Sequence, residues 1–230
     1  MYKVGFSPQW FHGIDIIIDI FSIIVLLSIA FFSLRNYKFN KRNKNYFWFA
    51  LAFFSLAFSF LFKILTNFTI YYNILNTRTL GFLTFTYRTI ATTDILFTIG
   101  FLFYMFLSLF GFLILYRVYN KNSGGRTFVL LIYFILAITY FSTSRYFVFH
   151  LTSLILLFFV TGAYFRNYFK NKKRNSQFLA ISFLVIALSQ LFFIFVNMHK
   201  VIYAIAELIQ LGGYLLLLLS FIGVIKNVKK

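Results

Sequence analysis

The sequence predicts an all-α integral membrane protein, a bundle of seven transmembrane helices. Three observations indicate this fold class: 61% of the 230 residues are hydrophobic, the apolar residues form long runs, and basic residues lie between the runs. A soluble globular domain is usually only about 45–50% apolar. A water-soluble fold could not bury the additional apolar residues, because its surface must stay mostly polar. Because each crossing needs about 20 apolar residues, seven crossings leave chain for loops and none for a separate soluble domain.

The apolar runs predict a single transmembrane domain that covers residues 1–230. The fourth run is the shortest, and only the break Ser142-Thr143-Ser144-Arg145 separates it from the fifth, so six helices with one re-entrant pass are the alternative. Segment 68–93 is rich in Thr, Tyr, Ile and Asn, a composition that favours an ordered outer loop such as a β-hairpin. The predicted helices are 14–34, 46–67, 94–116, 127–143, 145–165, 178–197 and 201–225.

The basic residues predict the orientation. Of the 22 Lys and Arg residues, 16 flank the ends of the odd-numbered helices or follow them, and six fall on the other side. The positive-inside rule therefore places the N-terminus outside and the C-terminus in the cytoplasm, in a cell (plasma) membrane. The net charge of +18 then indicates contact with anionic lipids at the cytoplasmic face, and not with nucleic acid. The larger group is Arg35, Lys38, Lys41, Arg42, Lys44, Arg117, Lys121, Arg126, Arg166, Lys170, Lys172, Lys173, Arg174, Lys226, Lys229 and Lys230; the smaller is Lys3, Lys63, Arg78, Arg88, Arg145 and Lys200.

A weak internal repeat suggests two parallel three-helix units joined by the fourth helix, a 3+1+3 plan. Arg35-Asn36-Tyr37 reappears as Arg166-Asn167-Tyr168, and Asn67 at the end of the second helix corresponds to Asn197 at the end of the sixth. Chains rich in Lys, Asn and Phe also produce such matches by chance, and both interpretations stay open. Pro8 is the only proline and precedes the first helix. We therefore expect continuous helices, unlike the broken helices that many transporters use at their binding sites.

The clearest functional clue is that all four acidic residues and all three histidines lie toward the predicted outer side. A charge within the hydrocarbon costs at least about 2.5–3.5 kcal/mol, so these faces should turn into the bundle, where Lys63 can pair with a carboxylate. One interpretation is an outward-facing polar pocket for a cation, a proton or a small polar ligand. The other is that the same side chains join helices by hydrogen bonds and partly meet water at the interface. The pocket candidates are His12, Asp15, Asp19, Lys63, Asp94, His150, Gln190, Glu207 and Gln210.

Catalytic and cofactor-binding patterns are missing from the sequence. There is no cysteine, which excludes disulfides and thiolate metal sites, and there is no Gly-x-Ser-x-Gly or phosphate-binding glycine loop. The histidines and carboxylates lack the spacing of a His-x-x-x-His pair, so we predict no metal site. The seventh helix has no internal lysine for a retinal Schiff base. We therefore expect a protein that is not an enzyme and needs no cofactor.

Small and aromatic residues have packing roles in this prediction. We expect the 37 phenylalanines to fill lipid-facing and packing positions, not to bind a cofactor. Glycines within the helices should allow neighbouring helices to approach closely; they are Gly100, Gly111, Gly162, Gly212 and Gly213.

Two short motifs and the topology carry a resemblance. Phe11-His12-Gly13-Ile14-Asp15 and Leu208-Ile209-Gln210-Leu211-Gly212-Gly213-Tyr214-Leu215 resemble an uncharacterised archaeal-type seven-helix membrane protein family, similar to the membrane sensor modules fused to some histidine kinases. The resemblance implies a receptor-like or sensor-like protein. Since no output domain follows Lys230, we expect such a protein to signal through a separate membrane or cytoplasmic partner.

Two other functions stay open. The 3+1+3 plan also looks like that of small sugar transporters of the SWEET type, although their proline-containing repeat motif is absent. The alternatives to a receptor are therefore a small transporter or ion/proton-conducting protein that uses Asp19, Lys63 and Glu207, and a structural or accessory subunit of a larger membrane assembly.

Overall fold

The computed structural model describes residues 7–71, 75–80, 83–88, 90–119, 125–142, 146–172 and 174–228, with side chains described for 7–8, 10–67, 97–118, 128–142, 146–172, 174 and 176–223. Within these ranges the chain forms seven α-helices, a 3-10 turn at Gln9–Phe11 and one pair of strands. The helices are α1 (Ile14–Phe39), α2 (Asn45–Tyr71), α3 (Ile90–Tyr119), α4 (Gly125–Ser142), α5 (Tyr146–Asn171), α6 (Arg174–Ile194) and α7 (Lys200–Val228).

Six of the helices in the described part of the chain are long and apolar enough to cross a membrane. At 1.5 Å per residue, the 26 residues of α1 extend over about 39 Å, more than the hydrocarbon core of about 30 Å. Large apolar side chains such as Ile17, Ile24 and Phe31 are more than half exposed, and lipid is the solvent that can cover them. The chain is therefore a helical, multi-pass membrane protein. The apolar part of α4, Phe128–Ser142, is shorter than the six.

Contacts between helices arrange six of the described helices in a ring. α2 packs between α1 and α3, α6 packs between α5 and α7, α3 contacts α5, and α1 contacts α7. α4 contacts α3 and α5 from outside the ring. α3 and α5 are parallel, because Tyr104 in the middle of α3 meets Phe149 near the start of α5, and Tyr116 meets Phe159 further along both helices. α4 therefore returns the chain from the level where α3 ends to the level where α5 begins.

The interior of the ring differs between its two ends. From the middle of the bundle to the level where α1 ends, the core is mainly apolar and includes the fully buried Leu26, Leu157 and Leu217. The buried polar side chains there are uncharged, among them Ser33, Thr161, Tyr164, Ser182 and Ser220. The charged side chains that are buried in the described part of the chain all lie nearer the end where α1 begins. The fold thus separates a polar end from an apolar one.

Three glycines lie where helices approach closely. A Cβ atom on Gly213 would lie 2.5 Å from Cγ1 of Ile186 on α6, and Gly100 and Gly111 are similarly crowded by α2. The sequence prediction is confirmed for these three. It is wrong for two others, because a Cβ there would meet no atom of the described residues within 4 Å; these are Gly162 and Gly212.

An antiparallel hairpin lies between α2 and α3. Its strands are β1 (Leu75–Leu80) and β2 (Leu83–Arg88), with Leu75 opposite Arg88 and Leu80 opposite Leu83. This is the β-hairpin that the composition of segment 68–93 favours. Its location outside the membrane stays a prediction.

The helices extend past the predicted apolar runs at their basic ends. α1 continues to Phe39 and α5 to Asn171, beyond the predicted ends at 34 and 165. Hydropathy marks the part of a helix that lipid can cover, whereas Arg and Lys are themselves good helix formers. α5 ends where Lys172 adopts the left-handed conformation, with φ of 51°, and its N–H donates to the carbonyl of Tyr168 at 2.7 Å.

Candidate functional site

Asp15 holds the start of α1. Gly13 precedes the helix with φ of 91°, in the left-handed region that favours glycine. Oδ1 of Asp15 accepts hydrogen bonds from the backbone N–H groups of Gly13 at 3.0 Å and Ile16 at 2.9 Å. A carboxylate in the first helical turn also interacts favourably with the helix dipole. Since Nδ2 of Asn67 donates to Oδ2 of Asp15 at 3.4 Å, the same carboxylate ties α1 to the end of α2.

One turn further along α1, an ion triad joins three helices. Nζ of Lys63 on α2 donates to Oδ1 of Asp19 on α1 at 2.8 Å and to Oε1 of Glu207 on α7 at 2.6 Å. Asp19 and Glu207 are 0% exposed and Lys63 is 5% exposed. The prediction that Lys63 pairs with a carboxylate is confirmed. The triad lies about 7–12 Å along each helix from the polar end of the ring, at 1.5 Å per residue.

The ionised triad carries one excess negative charge, since it has two carboxylates and one ammonium. Oδ2 of Asp19 and Oε2 of Glu207 are buried and have no hydrogen-bond partner among the described residues. A buried charge without a partner costs several kcal/mol. The cluster becomes neutral only when it gains one further positive charge.

A second polar pair lies on α5 and α6. Nδ1 of His150 lies 2.7 Å from Oε1 of Gln190, and because that oxygen accepts, Nδ1 is the donor. Nε2 of Gln190 donates in turn to Oγ of Ser189 at 3.4 Å. The imidazole packs against the rings of Tyr146 and Phe193, with centroid distances of 4.4 Å and 4.8 Å. Its Nε2 is buried with no partner in the described part of the chain, so it is a hydrogen-bond acceptor in an aromatic cage.

The triad and the His150–Gln190 pair share one interior. Lys63 interacts electrostatically with groups on α3, α5 and α7 as well as with its two carboxylates. These groups are Tyr104, Tyr146, His150, Tyr203 and Tyr214. All six helices of the ring therefore contribute a polar side chain to this end of the bundle, α6 through Gln190.

Comparisons with protein-family models, curated proteins and solved structures find no match. Function therefore has to be inferred from the contacts of this chain's own residues. Among the described side chains, no three of the residue types His, Asp and Glu are grouped so that they could hold a metal ion. In the triad, the ammonium of Lys63 occupies the position between two carboxylates that a metal cation would take.

Two of the predicted pocket residues, His12 and Gln210, have hydrogen-bond partners outside the triad, and a third, Asp94, cannot be placed. His12 is exposed, and its Nε2 lies 3.2 Å from the carbonyl oxygen of Ser7. Gln210 is buried on α7 and donates from Nε2 to the hydroxyl of Tyr214 at 3.4 Å. Asp94 belongs to α3, but its side chain falls outside the described residues.

Sequence reasoning missed Tyr104 and Tyr146. Tyr146 lies four residues before His150 on α5, a spacing that places both on one helix face. Of the 16 tyrosines in the sequence, only this spacing could have identified Tyr146 as a residue of the site. Tyr104 has no such signal. It reaches the interior because α3 packs parallel to α5, which brings its ring to 5.2 Å from that of Phe149.

Phe11, in the 3-10 turn Gln9–Phe11, packs into the polar end of the ring, which was also not predicted. Phe11 is 2% exposed and packs edge-on against Tyr203, with ring centroids 6.5 Å apart. Tyr203 lies one turn before Glu207 on α7. Phe11 therefore lies between the triad and the open end of the bundle, in an apolar cluster with Ile18 and Phe193.

Proposed function

We propose that this chain is a receptor-like or sensor-like membrane protein whose response site is the polar cluster formed by Asp19, Lys63, His150, Gln190 and Glu207. One observation carries the proposal: a single buried ammonium joins α1, α2 and α7 through two carboxylates. A ligand or ion that replaces either bond changes the contacts among three helices at once. A ligand can shift a conformational equilibrium only through such differential interactions.

The apolar half of the ring supports a sensor over a transporter. Leu26, Leu157 and Leu217 are fully buried there, and no charged side chain is buried in that half within the described residues. A polar ligand can therefore enter and leave at the polar end, whereas passage to the other end requires the apolar core to separate.

We place the polar end outside the cell. In this proposal the N-terminus is outside, the C-terminus is in the cytoplasm of a cell (plasma) membrane, and the basic helix ends contact anionic lipids. We also propose α4 as a seventh crossing, because the parallel packing of α3 and α5 requires it to return the chain. The signal would pass to a separate protein partner.

The 3+1+3 repeat is part of the same proposal. α1–α2–α3 and α5–α6–α7 each place their second helix between the other two, and α4 lies outside both. The offset that aligns Arg35 with Arg166 also aligns Asp19 with His150. Both of these side chains are 0% exposed, as expected for equivalent inward positions of two parallel units.

A small transporter or ion-conducting protein is the second candidate. The observation that favours it is the pair of buried carboxylate oxygens without hydrogen-bond partners in the described residues, Oδ2 of Asp19 and Oε2 of Glu207. Ionisable residues within membrane segments commonly mark ion and proton pathways.

Thermal unfolding in lipid nanodiscs tests the proposal. The probes are Na⁺, K⁺, Ca²⁺, short alkylamines and a pH series, applied to the wild type and to Asp19→Asn and Glu207→Gln. We expect at least one probe to shift the unfolding midpoint of the wild type and to lose that effect in both variants. Ser28→Ala, on the exposed face of α1, is the matched control and should respond as the wild type does.

Flux measurements separate the two candidates. The probe that shifts the midpoint is followed across proteoliposome membranes that contain the wild type. Binding without flux supports the sensor, and flux that stops in Glu207→Gln supports the transporter. Stable co-purification with a partner, with no response to any probe, would contradict both and identify an accessory subunit.

A further inference from the structure

We propose that Asp19 and Glu207 hold one exchangeable proton between them, beside the ammonium of Lys63. This inference rests on the proposed function, since it names the ligand of the same site. Its starting point is the excess negative charge of the ionised triad, whose carboxylates are 0% exposed. A proton on one carboxylate makes the triad neutral.

The geometry brings the two carboxyl groups close enough to share a proton site. Oδ1 of Asp19 and Oε1 of Glu207 each accept a hydrogen bond from the same Nζ atom, at 2.8 Å and 2.6 Å, so they lie no more than about 5.4 Å apart. Two like charges at this separation repel strongly when both groups are buried. The other oxygen of each group is buried and without a partner among the described residues, so either of these two oxygens is available to carry the proton.

A proton fits this site better than a metal cation does. A hard cation such as Ca²⁺ takes about 6–8 oxygen ligands, whereas the described part of the triad offers two unpartnered oxygen atoms. Lys63 already occupies the position between the carboxylates and would repel a metal ion there. A proton needs one oxygen atom and leaves the ammonium in place.

Other groups that face the site do not remove its excess charge. Asp15 on α1 already accepts hydrogen bonds from Gly13, Ile16 and Asn67. α6 contributes Gln190, which does not titrate. The titratable groups of the remaining elements are Tyr104 on α3, Tyr146 and His150 on α5, and Tyr203 and Tyr214 on α7.

The proton decides which helices Lys63 holds together. Uptake converts one carboxylate to a carboxylic acid, with the proton coming from the solution at the polar end and no other bond broken. Lys63 then has one charged partner, and a hydrogen bond to a charged group is stronger than one to a neutral group. A proton on Glu207 strengthens the α2–α1 bond relative to α2–α7, and a proton on Asp19 does the reverse.

Infrared difference spectroscopy of the full chain in lipid nanodiscs tests the proposal across a pH series. We expect the C=O stretching band of a buried carboxylic acid, shifted in D₂O and lost reversibly as pH rises. Asp19→Asn and Glu207→Gln should each lose the band. In each variant the charge of the one remaining carboxylate is balanced by the ammonium of Lys63, so that carboxylate does not need to take up a proton. Asp15→Asn is the matched control on the same face of α1 and should keep it.

Three results would contradict the proposal that the two carboxylates hold a proton. The first is that folded wild-type protein lacks the C=O band at every pH. The second is that the band persists in both carboxylate variants, and the third is that adding Na⁺ at constant pH removes it. If Asp19→Asn does not give a cooperative unfolding transition, Glu207→Gln alone carries the comparison.

Failure of the proton and failure of the sensor proposal give different results. A titrating band without any pH-dependent change in the distance between spin labels on α1 and α7 keeps the proton and contradicts sensing. If the band is absent but a probe still shifts the unfolding midpoint, the proton is contradicted and the sensor proposal stands.

Discussion

Nζ of Lys63 lies 2.6 Å from Oε1 of Glu207, so a single ion pair ties the end of α2 to the start of α7 across 144 positions of sequence. Lys63 is also the ion-pair partner of Asp19. Removal of the Lys63 ammonium would leave the two buried carboxylates of Asp19 and Glu207 without a cation between them. The stability of the polar end therefore depends on the balance of charges, more than on the number of ion pairs.

Lys63→Met should lower the free energy of unfolding by about 3–5 kcal/mol, because it removes one partner and leaves buried charge. Chemical or thermal unfolding in the same nanodiscs measures the change. The loss would be reduced under conditions that protonate the carboxylates.

The matched control for Lys63→Met is Glu207→Gln, which has nearly the same shape and leaves one carboxylate for one ammonium. We expect a change of less than about 1 kcal/mol, or a gain. The combined variant Asp19→Asn/Lys63→Met/Glu207→Gln should recover most of the stability, because replacing a whole buried ion cluster is often neutral. Equal losses in Lys63→Met and Glu207→Gln would contradict the charge-balance argument.

Gly213 and Gly212 provide a test of the α6–α7 contact at adjacent positions. A Cβ on Gly213 would lie 2.5 Å from Cγ1 of Ile186 and 3.1 Å from its backbone nitrogen, whereas a Cβ on Gly212 would meet nothing within 4 Å in the described part of the chain. Gly213→Ala should destabilise the protein by about 1–3 kcal/mol through overpacking. Gly212→Ala should be neutral or stabilising by up to about 1 kcal/mol, since alanine favours the helix. Similar unfolding midpoints for the two variants would show that α6 and α7 do not pack in this register.

His150 and Gln190 should be energetically coupled. Gln190→Leu leaves the buried Nδ1 donor of His150 without its acceptor, at a cost of about 1–3 kcal/mol. His150→Leu should cost a similar amount, and the double variant should cost less than the two together, which a double-mutant cycle measures. The exposed Met198 is the control, with a change within about 0.5 kcal/mol for Met198→Leu. Additive losses would mean that the two side chains do not interact.

Hydropathy and the cost of buried charge made much of this architecture predictable. Long apolar runs identify helices without any knowledge of how they pack. Lys63 had to find an acidic partner because an unpaired charge is expensive in an apolar region, and Asp19 and Glu207 were among only four acidic residues. Small numbers of charged residues make such pairings easy to predict.

Helix register and rotation were not predictable to the same degree. The pairing of His150 with Gln190 depends on how α5 and α6 are rotated about their axes, and the apolar residues around both helices give little information on this. Gly212 and Gly213 are neighbours in sequence, yet only Gly213 faces α6. Phe11 was one of 37 phenylalanines, and nothing in its local sequence distinguishes a residue that covers the site from one that faces lipid.

The orientation can be tested because the chain contains no cysteine, so that one introduced thiol is the only site for a maleimide. Met198 lies between α6 and α7 and is 78% exposed, and Lys41 lies exposed between α1 and α2. The 16 basic residues grouped on the side of Lys41 predict that this side is cytoplasmic. A membrane-impermeant maleimide should therefore label Met198→Cys in intact cells and label Lys41→Cys only after lysis. The reverse pattern would invert the topology and place the polar cluster at the cytoplasmic end. If both thiols were labelled in intact cells, positions 41 and 198 would lie on the same side of the membrane, which would contradict the predicted crossings.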